Sequence, residues 1–475
     1  MRRLTLFLQL SLVVVFAAFT GWTVGVVKLV EVLMTAEGGR FATASEQRAE
    51  TFLVSFGVSK ALCNGLAGWL ADARGRRAAM LVGWAAALAL APAVLFAQSW
   101  SLVVAADCLL GANQAFCWST AIFVALDLLG PRRRALAVGL VETVGYSAVA
   151  LAGVAVAAAG RGEAGVATSL VPLAAIALVG FVLSAAAQRE TRGLALHEAG
   201  LAARPAAGGG AAAADHGGAG RPAAVPPPPP TRAFALGVGA CCLAGLALNF
   251  TTAFAWGALT RWLAAHDGGE GGGAAAALLA YSLPKGLLQL PAGRLADRRL
   301  CCGAGSKGFV VAGLAASAAA LAALAALAAA DDDDAAAAGG RRPPLAPPRQ
   351  AAVVALAAAL GCGCALAYST LLAVAAALAP PARRSSVVGA VRCVRDLGYA
   401  VGGLLLGGAV DAAGGAGWTA PTLGAAVCAL AAAAFALAAP NARADGDAAR
   451  LLAPAARAEG ACELQGERAS SERAV

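Results

Sequence analysis

Seven charged residues, Lys60, Asp107, Glu142, Lys285, Arg392, Arg395 and Asp396, lie inside runs of apolar residues. A charge at the centre of a bilayer costs ~2.5–3.5 kcal/mol on the insertion scale, so it needs water, a partner or a ligand. Two chemistries are available to such groups. A cation can hold the anionic group of a solute, or serve as counter-ion to a carboxylate. A buried carboxyl can carry a proton, because burial raises its pKa and a nearby cation lowers it. Lys60 and Lys285 sit about ten residues into their runs, and each reads as a solute or counter-ion site, or as half of a structural ion pair. Glu142, Asp396 and the shallower Asp107 are the candidate proton carriers. Arg392 and Asp396 are spaced i, i+4 and share a helix face, so an intrahelical pair is the plain alternative. The polar and aromatic residues Asn64, Gln114, Tyr146, Gln289, Tyr368 and Tyr399 lie in the same runs. They suit either solute orientation or the joining of helices within a membrane.

The elements that position these groups follow from composition. The chain has 475 residues, 60% hydrophobic and only 13% charged, with a mean hydropathy of +0.72. Soluble domains carry about 25% charged residues, whereas repeated apolar runs of about 20 residues span a bilayer as helices. Twelve spans are expected, at about 6–34, 50–71, 78–98, 101–127, 135–160, 166–187, 233–264, 274–297, 307–330, 350–379, 386–411 and 419–439. The fold class is all-α membrane protein. The N-terminal MRRLTLFLQLSLVVVFAAF imitates a signal peptide, but its apolar run continues past Trp22 and is read as a retained first span. Residues 188–232, ending in Pro226–Pro230, read as a disordered linker between a bundle at 1–187 and a bundle at 233–439. Residues 440–475 read as a disordered tail.

Charge fixes an expected orientation. With both termini cytoplasmic, 24 Lys and Arg face the cytoplasm. The outer loops carry Arg40, Arg48, Arg161, Arg341, Arg342 and Arg349. Lys28 and Arg261, near outer span ends, are expected to snorkel to the interface. The twelve Cys lie mostly within apolar runs and read as small hydrophobes. The three His fall in expected loops, as does the Asp331–Asp334 run. No metal site or cofactor is expected.

The two halves repeat. SKALCNGLAGWLAD, ending at Asp72, aligns with PKGLLQLPAGRLAD, ending at Asp297, and pairs Lys60 with Lys285 and Asn64 with Gln289. GANQAFCWST (Gly111 to Thr120) aligns with GCGCALAYST (Gly361 to Thr370), and Pro131, Arg133 and Arg134 align with Pro381, Arg383 and Arg384. Gly-Tyr at Tyr146 echoes Gly-Tyr at Tyr399, and this alignment sets Glu142 opposite Arg395, a possible pair across the halves. Three matches in one order indicate two parallel six-helix repeats.

Between the second and third spans stands GWLADARGRR. Two six-helix halves, a central linker and this turn resemble the major facilitator superfamily of secondary transporters, whose signature there is G-x-x-x-D-R/K-x-G-R-R/K. Gly68, Asp72, Gly75, Arg76 and Arg77 match it, and Ala73 departs from it. The second copy keeps Gly293, Asp297 and Arg298, then decays into RLCC, and is read first as a topology signal. LLGANQAFCWST, DLLGPRRR and RDLGYAVG look like a prokaryotic-type subgroup of unknown substrate. The resemblance assigns Asp72 to a cytoplasmic gate, its carboxylate facing the positive end of a helix in the other half in the outward-open state.

The resemblance implies transport of a small solute by alternating access, driven most simply by protons. Four deep cations against three acids lean to an anionic solute. A drug or cation:proton exporter is the runner-up, and a non-transporting sensor or assembly protein is the reading from another class. The expected partners are the solute, H+ and the lipid bilayer, with no nucleic acid. The expected state is a monomer in the plasma membrane by default.

Overall fold

In hydrocarbon, backbone amides have only one another to bond, so long apolar stretches become helices. The computed structural model describes residues 3–160, 162–198, 232–266, 272–298, 305–337 and 344–439. The first half holds α1 (Arg3–Thr35), α2 (Thr51–Arg74), α3 (Arg76–Leu95), α4 (Trp100–Leu129), α5 (Arg134–Ala159) and α6 (Gly162–Ala186). The second half begins with α7 (Arg232–Trp256), which resumes after Gly257 as Ala258–His266. It continues with α8 (Gly272–Arg298), α9 (Gly305–Ala337), α10 (Pro347–Leu378), α11 (Arg384–Ala412) and α12 (Thr419–Ala438). Short helices occupy Glu46–Ala49 and Arg192–Glu198.

Ten of the long helical segments are long and apolar enough to cross a membrane. The two long helices not among them are α2 and α8. These carry the paired lysines and both copies of the signature. They compensate by position: α2 packs along α11 and α8 along α5, so each lies at the junction of the halves. Packing within the halves repeats as the sequence does. α1 against α5, α2 against α4 and α3 against α6 correspond to α7 against α11, α8 against α10 and α9 against α12. In its apolar window α4 is 89% buried and α6 only 22%, which sets α4 in the core and α6 toward lipid. Exposed Leu62, Leu66, Trp69, Phe96 and Leu437 form part of the apolar exterior.

Four features differ from the sequence-based expectation. The start of the expected linker is structured: Arg192–Glu198 is helical and Thr191 is buried. α9 runs on through the four aspartates to Ala337, and Asp331 meets His266 at 2.9 Å, both buried, where loops were expected. α4 contains a π turn at Gln114–Trp118. Lys28 does not snorkel. It is 2% exposed and inside the bundle. The expected tail at 440–475 lies outside the described residues.

Candidate functional site

The deep charges gather where α2, α5, α7, α8, α10 and α11 meet. Asp396 is the anchor. Asn64 Nδ2 donates to its Oδ2 and Asn249 Nδ2 to its Oδ1. Arg395 Nε donates to Oδ1 at 2.7 Å, and Lys60 Nζ stands 3.9 Å from Oδ2. The expected i, i+4 pair gives way to this neighbouring one. Arg392 instead reaches across the halves to Glu142, with Nη1 to Oε1 at 3.5 Å. Glu142 does face a guanidinium of the other half, but one helical turn from the aligned Arg395.

The two lysines converge, as their equivalence in the repeat implies. Lys285 Nζ donates to Thr252 Oγ1 (2.8 Å) and Tyr281 Oη (3.0 Å). It lies 4.1 Å from the Tyr146 ring centroid and 4.6 Å from that of Tyr368. Lys60 lies 5.0 Å from the Tyr399 ring centroid and 5.0 Å from that of Phe56. Tyr146 donates to Tyr368, Oη to Oη 3.2 Å. Aromatic faces attract cations, and the attraction grows when water is excluded. The site is thus a cage of tyrosines around cations, all of it buried. Apart from Gln114 and Gln289, the residues expected to line a solute cavity are packed against one another.

Charge is unbalanced here. Among the described residues, Lys60, Lys285, Arg392 and Arg395 face two carboxylates, Glu142 and Asp396. Arg395 makes one hydrogen bond through Nε, while its buried Nη1 and Nη2 have no protein partner. Its guanidinium carbon lies 4.8 Å from the Tyr368 ring centroid. A guanidinium with both terminal nitrogens uncommitted is the fork that takes a carboxylate in bidentate fashion.

Asp107 and Gln114 stand apart from the cage. Asp107 belongs to a second buried cluster, in which Lys28 Nζ donates to Asp107 Oδ2 (2.6 Å) and Glu31 Oε2 (3.0 Å). Asp107 Oδ1 and Glu31 Oε1 are buried without a protein partner. This cluster has one more carboxyl than it has cations. Gln114, in the π turn, donates to the Thr20 carbonyl of α1 (2.8 Å) and so joins helices rather than lining the cage. Gln289 is buried near the junction with both amide atoms unpartnered. Sequence reasoning missed Glu31, Asn249, Thr252 and Tyr281. Their signal was polarity within an apolar run, which Asn249 and Thr252 display in the stretch LNFTT.

The Arg-rich turns close one end of this junction. Asp72 Oδ2 accepts from Ser386 N and Oγ, both at 2.7 Å, at the start of α11. Asp297 accepts from Ala135 N (3.2 Å) and Leu136 N (2.8 Å) at the start of α5. A carboxylate at a helix N-terminus satisfies free amides and meets the positive end of the dipole. The second copy therefore makes the same contact as the first, beyond any topological role. The Arg298 side chain lies outside the described residues.

A network backs the first copy. Arg76 is 1% exposed and donates to Ala71 O (2.7 Å), Asp72 Oδ1 (3.2 Å) and Asp127 Oδ2 (2.9 Å). Glu190 accepts from the Arg76 and Arg77 amides. Gly75 holds φ +103°, and a Cβ there would collide with the Glu190 carboxylate, so glycine is required twice over. Glu198 joins Arg134 (3.1 Å) to Arg384 (2.5 Å), one from each half. Close approach at this end also depends on Gly68, where a Cβ would strike the Ser385 carbonyl.

The opposite end is closed as well. Asp411, near the end of α11, accepts from Ser45 Oγ (2.8 Å) and the amides of Glu46 (2.9 Å) and Gln47 (3.1 Å). Arg261 pairs with Glu46 at 2.6 Å. Contacts thus join the two halves at both ends of the cage.

Comparison with known proteins bears on the fold. Residues 241–460 match the sequence profile described as Major Facilitator Superfamily. The chain is similar to the crystal structure of the human organic anion transporter MFSD10 (TETRAN), with a TM-score of 0.62 at 16% identity. The match covers 90% of this chain and 99% of that one. No curated protein sequence matches the chain.

Proposed function

We propose that this chain, a multi-pass membrane protein whose residues 241–460 match the Major Facilitator Superfamily profile, is a transporter of that class and moves a small organic anion by proton-coupled alternating access. One observation carries the choice of solute. The buried cage holds four cations against two carboxylates, and Arg395 has both terminal nitrogens free of protein partners. A buried charge left unpaired is costly, so an anion that docks on Arg395 and the two lysines relieves the cage and is bound for that reason. The related transporter of known structure is named for organic anions, which supports the same class.

The proton has two seats in this reading. Glu142 makes one long contact with Arg392 and leaves Oε2 unpartnered. The Lys28–Glu31–Asp107 cluster has a surplus carboxyl that is least costly when it holds a proton. The moving bodies are residues 1–187 and 233–439, tied by 188–232. The Arg-rich end faces the cytoplasm with both termini.

Proteoliposomes loaded with a pH-sensitive dye test this when challenged in turn with organic anions, amino acids, sugars and lipophilic cations. Organic anions are expected to move protons, Arg395→Leu to abolish uptake, and Glu142→Gln or Asp107→Asn to uncouple it. Proton movement with cations alone would overturn the choice of solute. Binding of an anion with no flux would favour a sensor.

A further inference from the structure

The end of the molecule opposite the Arg-rich turns holds a cavity of about 880 Å³. It lies between Glu46–Ala49, the break in α7, α9 and the far end of α11. Pockets of about 300–1,000 Å³ hold drug-sized molecules. Phe254, Leu259 and Trp262 supply apolar wall, and Glu46, Glu50, Asp332 and Asp411 supply carboxylates. Among the described residues the one basic residue lining it is Arg261.

Three of these acids are engaged. Glu46 pairs with Arg261, Asp411 caps the short helix, and Asp332 accepts from the Gly417 amide at 2.7 Å. Glu50 is different. It is fully buried, it lines the cavity, and neither carboxylate oxygen accepts a hydrogen bond of ordinary geometry. A Cβ placed on Gly257 would lie 2.7 Å from Glu50 Oε1, so the break in α7 leaves the carboxyl its room.

We infer that this cavity is a second binding site, for an organic monocation with an apolar body, and that Glu50 is its counter-ion. The charge balance of the described lining favours a cation over an anion, since its one guanidinium is already paired with Glu46. The apolar wall does not replace the six to eight oxygens an inorganic cation such as Ca2+ demands. An ammonium or phosphonium with hydrocarbon around it needs one carboxylate and a greasy wall, and both are present.

Burial holds the Glu50 carboxyl well above the usual carboxylate range. Glu46 and Asp411 push it further, and Arg261 and the Gly407 amide only partly offset them. A cation that docks on it therefore displaces a proton. Affinity rises with pH, because the binding form is the ionised one. The site is independent of the anion cage, and its test reads binding, not transport.

The experiment is isothermal titration of the full-length protein in nanodiscs with tetraphenylphosphonium, in buffers of differing ionisation enthalpy. The expected result is one cation bound and about one proton released. Glu50→Gln is expected to weaken binding about thirtyfold or more, as loss of a buried charge partner does. Ala265→Trp, an exposed substitution at the rim, should weaken it too without risk to folding. Equal binding of tetraphenylborate, or tetraphenylphosphonium binding that survives both substitutions, would overturn the proposal.

Discussion

At the Arg-rich end an aspartate of each half meets the start of a helix in the other, Asp72 on α11 and Asp297 on α5. The surroundings are unlike. Asp72 stands in a network of Arg76, Asp127, Glu198 and Arg384, whereas among the described residues the hydrogen bonds to Asp297 come from two backbone amides, with the charge of Arg134 nearby. The sequence around Asp72 keeps the full signature, and that around Asp297 has decayed into RLCC. Yet both carboxylates do the same thing. A helix N-terminus offers free amides whatever its side chains are. Only the aspartate and a close-packed backbone are needed for the contact itself, and the arginines serve a further purpose. Arg76 shields a buried acid and ties the turn to the end of α4.

The comparison can be broken or sharpened in three ways. The largest effect belongs to Arg76→Met. It removes the close cation from buried Asp127, leaving Arg384 at 3.9 Å. Such a loss costs about 3–5 kcal/mol, and the melting temperature in detergent should fall by several degrees. An unchanged melting temperature would reduce the network to decoration. Asp72→Ala comes next. It removes three hydrogen bonds, two of them from Ser386, which form a helix cap worth about 1–2 kcal/mol. Spin labels at exposed positions 74 and 383 should report an open population raised by about five- to thirtyfold. Asp297→Ala, read by labels at 133 and 294, should do less, about fivefold, because the hydrogen bonds it loses come from backbone amides and no side-chain hydrogen bond goes with them. Equal shifts in the last two variants would mean that the network adds stability but no hold on the closed state.

Much of this was legible in the chain, and the rest was hidden for physical reasons. The six-plus-six order is written in apolar runs long enough to form spans, and the repeat placed Lys60 and Lys285 together before any coordinates. The pairing of Glu142 was nearly legible. The repeat aligns it with Arg395, but Arg392 lies on the same helix face one turn away, and spacing alone does not separate i from i+3. Lys28 was misjudged because its partner Asp107 is 79 residues distant and only the fold joins them. Gln114 was misjudged because a π turn widens the helix locally, and sequence carries no sign of it. The role of Glu190 and Glu198 was obscured by the Gly- and Pro-rich composition that follows them. The outer cavity left only Glu50 as a trace, an acid at the very edge of an apolar run.

The marginal polarity of α2 and α8 has a consequence for how the protein is made. A chain that enters a bilayer one segment at a time meets each of them as the second helix of its half. Neither is as apolar as its neighbours, and each carries a lysine near its middle. Stable residence in lipid must wait for covering partners in the case of α2, since α4 and α11 both follow it, whereas α8 finds α5 already in place and is completed by α10. The same side chains that equip the junction therefore oblige the first half to insert as a group of helices and let the second assemble against it. Biogenesis, not the finished fold, is where a further charge on α2 or α8 would first be felt.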